Sequence, residues 1–155
     1  MNKQQEWLKK HYPVSAFDLA NSGADDKELL QHALAKWQGI TWEELDKADL
    51  INNRGDIGYY EEGEFVEILS INTYSCTMCC KYIDLASKHK RDEKGHVLGC
   101  MDCPIAKARG GYACDVPGYH DEEDSPWTTW QLTGNPRLMI EAIENAIKYV
   151  EEHNA

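Results

Sequence analysis

No run of apolar residues in this chain approaches the roughly eighteen that a membrane-spanning helix requires. The N-terminus, Met1-Asn2-Lys3-Gln4-Gln5-Glu6-Trp7, has no apolar stretch of the kind that opens a secretory signal. Together these absences predict a cytoplasmic protein whose thiols stay reduced, which disfavours a disulfide framework. There is also no glycine-rich phosphate loop, no His-x-x-x-His pair of a metalloprotease and no His-x-Glu partner of a zinc deaminase. The common signatures of phosphoryl, peptide and base chemistry are therefore missing. Positive charge is scarce: 16 Lys and Arg face 27 Asp and Glu, for a formal net charge of −11, so the chain as a whole repels nucleic-acid phosphate. No internal repeat or low-complexity tract breaks the sequence.

What the chain does have is cysteine in a pattern. Five of its six cysteines fall into Cys76-x2-Cys79, Cys100-x2-Cys103 and a trailing Cys114. A Cys-x2-Cys turn offers two thiolates to one cation from a single tight loop, and a second turn supplies the rest of a tetrahedral set. Filling all four positions with protein leaves no water to activate, so the expected role is structural, contributing on the order of 10 kcal/mol to folding. Zn2+ is the expected ion, because closed four-cysteine sites with paired spacing usually hold it. An iron–sulfur cluster would accept the same thiolates. A redox dithiol fits poorly, since Cys103 is followed by Pro104-Ile105-Ala106-Lys107 and then Gly110-Gly111 rather than by a βαβ setting. The metal candidates are thus Cys76, Cys79, Cys100, Cys103 and Cys114; the simplest set is the first four, with Cys114 able to displace one of the second pair and Cys80 able to replace Cys79. Directly after a ligand position, Cys80 more simply turns away and packs as a small apolar residue. His96 and His120 are weaker candidates, since a histidine in a polar loop is usually just solvated.

With 42% hydrophobic residues over 155, the chain reads as one globular domain, with residues 75–120 as a metal-binding lobe inserted between helical segments. The expected fold is mainly α with a small β element: a helical body, a zinc-held loop-rich cysteine lobe and a long C-terminal helix. A short helix over Gln4 to Lys10 stops before Pro13. Asp25 or Asp26 caps a stronger one, whose Leu29, Leu30, Ala33, Leu34 and Trp37 share a face, and which ends at Gly39. Thr41 and Glu44 form a capping box for a third helix to about Asn52, with Trp42, Leu45 and Leu50 as its buried members. The turn-rich stretch 52–63 precedes a strand over 65–71, which pairs either with Gly58-Tyr59-Tyr60 or with Lys81-Tyr82-Ile83. Asp121 to Ser125 reads as an acidic linker. Asn135 and Pro136 then open a helix to about Glu152, expected to pack on the Leu29 helix.

Charge is unevenly placed. From Lys81 to Arg109 seven basic residues face four acidic ones, a net of +3, so the remainder carries −14. The basic tip at 88–94 reads more simply as a solvated loop than as a binding patch.

The succession of the helix ending Ala35-Lys36-Trp37-Gln38-Gly39, then Cys76-x2-Cys79, Cys100-x2-Cys103-Pro104, Gly111-x2-Cys114, Pro117 and Tyr119 resembles a group of small uncharacterised proteins encoded by phages and bacterial mobile elements. The likeness spans about residues 28 to 150 and rests on half a dozen cysteine-linked positions. Met78 stands where leucine is usual, the spacer between the pairs is longer, and Gly118 is extra. The resemblance implies a metal-binding lobe and a place in the host cytoplasm, and it lends no activity. Two function classes follow. One is a zinc-stabilised, non-enzymatic accessory protein whose acidic body binds or inhibits a host protein through a basic surface of that protein. The alternative is a nucleic-acid-binding zinc module using Lys88, Lys90, Arg91 and Lys94 with Tyr82 or Tyr112 stacking. An enzyme reading would centre on His120 beside Asp121.

Overall fold

The computed structural model describes residues 2–118 and 124–153. Tyr119, His120 and Asp121–Glu123, and with them the His120 candidate and most of the acidic linker, lie outside the described residues. The fold is mainly helical with one small antiparallel sheet and a long C-terminal helix. Local sequence explains most helix starts. Asn2 and Gln5 form a capping box at α1 (Lys3–His11). Ser15 caps α2 (Ala16–Asn21), a short helix the sequence reading passed over, and Asp25 caps α3 (Asp26–Gly39) by accepting from the Glu28 N–H at 2.9 Å. Thr41 caps α4 (Trp42–Lys47).

Helix α4 is shorter than expected. It ends at Lys47, where Asp49 adopts φ +55° and the Leu50 N–H reaches back to the Leu45 carbonyl at 2.9 Å, which tucks Leu50 into the core. Residues 51 and 52, expected at the end of that helix, instead belong to β1 (Ile51–Asn53), and the stretch expected to be turn-rich contains β2 (Asp56–Glu61). Strand β3 (Glu64–Ser70) completes the sheet in the order β1-β2-β3. Of the two expected partners for β3 the structure has the hairpin, with Glu61 opposite Glu64 across Glu62-Gly63. Both turn residues have positive φ, as a type I′ turn demands. Lys81-Tyr82-Ile83 are helical instead.

The cysteine lobe carries short helical pieces between its loops. A 3-10 turn over Thr73–Ser75 leads into α5 (Thr77–Cys79), which widens into a π-helical stretch over Cys80–Leu85. α6 (Leu98–Asp102) and α7 (Pro104–Ala108) follow. This segment has no core of its own and borrows the main one: Met78, Ile105 and Ala106 are buried against the body, α5 packs on α3, and α7 packs on α9.

The C-terminal pair closes the molecule. Ser125 caps α8 (Pro126–Thr133), which stops at Gly134 with φ +74°. Asn135 accepts from the Arg137 N–H at 2.9 Å and opens α9 (Arg137–His153). As expected, α9 packs on α3. Trp37 sits at the centre, its ring edge-on to Trp130 at 5.0 Å and to Trp127 at 5.8 Å. Trp127 and Trp130 thus pack against Trp37.

Ile143, with no exposed surface, lies on the buried face of α9. Replacing it by alanine should remove about 2–5 kcal/mol of stability, measured as a fall in the urea midpoint with an unchanged slope.

Candidate metal centre

Three separated segments bring thiols to one place. Cys76, Cys79, Cys100, Cys103 and Cys114 all line a single cavity of about 20 Å³, together with Met78, Tyr82, Ile105 and other apolar neighbours. A cavity of this size holds about one water-sized particle. The five thiols are the five expected from spacing. Cys80 does not line the cavity; it is buried with its Sγ 3.5 Å from the Tyr74 carbonyl, packed as an apolar residue. His96 stands elsewhere, beside Asp92, Met101 and Gly110.

Each segment is fixed by backbone or buried side-chain contacts. The Thr77 hydroxyl donates to the Leu29 carbonyl at 2.6 Å, pinning the first turn to α3, and the Cys80 N–H donates to the Cys76 carbonyl at 3.0 Å. The second turn is pressed against the first at Gly99, where any side chain would meet the Tyr82 carbonyl. Cys103 caps α7, with Pro104 as its first residue. The Cys114 loop is stapled by Arg109, whose guanidinium donates to the carbonyls of Tyr112, Ala113 and Val116, and by the Trp127 N–H, which donates to the Cys114 carbonyl at 3.0 Å.

No group of three or more His, Cys, Asp or Glu side chains among the described residues is arranged to hold a metal ion as it stands. Cys76 and Cys79 instead bond to each other. A hydrogen bond from the Cys79 thiol, aided by the Lys36 ammonium and the N–H groups of Cys79 and Met78, brings the Cys76 thiol down to about 5 against the effect of burial. Cys79, bonded to that sulfur and buried beside negative neighbours, is pushed up. Burial raises Cys103 and Cys114 as well, and Cys100 to about 11. Like charges in a dry cavity disfavour each other, so a negative Cys76 sulfur adds to the effect of burial on its neighbours. A divalent ion reverses that logic and deprotonates its ligands. The backbone brings the five thiols to the wall of one cavity. The donor set suits Zn2+: soft thiolates in number sufficient for a tetrahedron, walled by apolar side chains.

The sequence reading missed Lys36. It has no exposed surface, and its Nζ donates to the Ser75 carbonyl at 2.9 Å, next to Cys76. The signal was available: position 36 lies seven residues after Leu29 and three after Ala33, on the inward face of α3. Comparison with protein-family models, with curated proteins and with solved structures gives no match.

Five single Cys→Ser variants at positions 76, 79, 100, 103 and 114, purified under reducing conditions, test the cavity directly. Elemental analysis should find about one zinc per wild-type chain, loss of zinc in four variants, and retention in the variant that lacks the non-ligating thiol.

Proposed function

We propose that this chain is a zinc-stabilised, non-enzymatic acidic accessory protein of the phage or mobile-element type, acting in the host cytoplasm by docking on a basic surface of a host protein. The observation that favours it most is Trp42. Expected in the core, it is 78% exposed, because it is the first residue of a short helix and its side chain leans past the helix start. It stands on the rim of a groove of about 480 Å³ whose floor includes Ile40, Leu45, Leu50 and Pro136. Glu43 is the one charged side chain lining that groove, is exposed, and makes no ion pair among the described residues. An indole face beside a free carboxylate suits an arginine or lysine, by stacking and by charge-assisted hydrogen bonding, while the floor accepts an apolar neighbour. The occupant is therefore a basic segment of a partner protein carrying a bulky apolar side chain. The zinc centre would keep the body that presents this groove folded.

The nucleic-acid reading has less to rest on. Lys88 is paired with Asp102 at 2.7 Å, and Arg91 donates to the Gly95 carbonyl. Tyr82 lines the cysteine cavity with its hydroxyl on Asp26, where Lys81 also binds at 2.6 Å, so its ring is not free to stack on a base.

Two assays separate the readings. A labelled peptide of alternating arginine and leucine should bind the zinc-loaded protein, bind more weakly as salt rises, and lose about tenfold or more in affinity to Trp42→Ala and to Glu43→Lys. Retention of single-stranded nucleic acid at about 150 mM salt, abolished by neutralising Lys88, Lys90 and Arg91, would reverse the choice.

A further inference from the structure

A lysine with no exposed surface presents an energetic problem. An ammonium taken from water into an apolar core costs several kcal/mol unless other charges and hydrogen bonds compensate it. The group has three N–H donors, and among the described residues one of them is used by a protein acceptor, the Ser75 carbonyl at 2.9 Å. The Trp37 ring, with its centroid 5.1 Å away, offers a weak cation–π contact. No carboxylate among the described residues lies within ion-pair distance of it. Burial pushes the ammonium down from its ordinary value, and the neighbouring sulfurs oppose that shift, first among them Cys76, which directly follows Ser75.

The cysteine cavity has the opposite problem. Four thiolates around a divalent cation carry a net charge of −2 in apolar surroundings, and such a centre is held in place by outer partners that supply hydrogen bonds and positive charge. The other bases near the lobe are committed elsewhere: Lys81 to Asp26, Lys88 to Asp102 and Arg109 to loop carbonyls. The two problems have one solution.

Resting on the zinc reading above, we infer that Lys36 is the internal counter-cation of the thiolate cage, a positioning residue that holds the Cys76 end of the centre and halves its buried charge. It makes no bond to the ion. Its role differs from that of an ordinary core side chain in a measurable way, because it stabilises the loaded centre and burdens the empty one.

The test compares Lys36→Met, Lys36→Gln and Lys36→Arg with wild type. Zinc affinity is read by competition with a chromogenic chelator, and urea stability is read with and without metal under reducing conditions. Lys36→Met should bind zinc about 10–100-fold more weakly while its metal-free form is at least as stable as that of wild type. Its zinc-loaded form should also react faster with iodoacetamide, because a thiolate lacking compensating charge is the better nucleophile. Unchanged zinc affinity, or equal losses of stability with and without metal, would overturn the inference and leave Lys36 as packing. If Lys36→Met does not fold, Lys36→Arg and Lys36→Gln decide: affinity kept in the first and lost in the second supports the charge, and equal affinities overturn it. A wild-type chain that takes up no zinc would remove the metal reading itself, an outcome distinct from all of these.

Discussion

The structure turns on an electrostatic constraint at the inner face of α3. That face carries Leu29, Leu30, Ala33 and Trp37, which build the core, and among them Lys36, which does not belong in a core on hydrophobic grounds. Burial pushes that ammonium down from its ordinary value, and an opposite charge facing it works against the shift. What faces it is the first cysteine turn, hung from the same helix by the Thr77 hydroxyl. The apolar packing of α3 against α9 and the convergence of five sulfurs are therefore one arrangement with two faces. A change in either is felt in the other.

This coupling explains why the cysteine segment folds although it is too polar to build a core of its own. Met78, Ile105 and Ala106 lend it the body's apolar interior, while Gly99 lets the second turn press close to the first. Backbone contacts already draw the cysteine turns together, whereas in a free-standing zinc module the ion must organise the chain from an unfolded state.

Much of this was legible in the residues. Cap residues located the starts of α3, α4 and α9, because those signals act over a few neighbours, whereas α8 was missed and the hairpin was one of two pairings the residues allowed. The convergence of the five cavity cysteines was legible from spacing, whereas the choice of Cys79 over Cys80 was not, because adjacent residues share the same turn. The errors came where tertiary contacts overrode local preference. Helical propensity pointed α4 onward to Asn52, but the burial of Leu50 and the pairing of Ile51 with Gly58 drew the chain into a sheet. Trp42 reads as core by hydrophobicity and lies outside because α4 begins there. Lys36 was passed over because a charged residue on an apolar stripe reads as an interruption until its partners are known.

The bond from the Trp127 N–H to the Cys114 carbonyl ties the last thiol to the cluster of Trp37, Trp127 and Trp130. Indole emission responds to small changes in surrounding polarity and to nearby quenching groups, and sulfur is among the effective quenchers. The chain thus contains its own optical gauge of the cysteine cavity, and changes there can be followed by fluorescence without an attached dye.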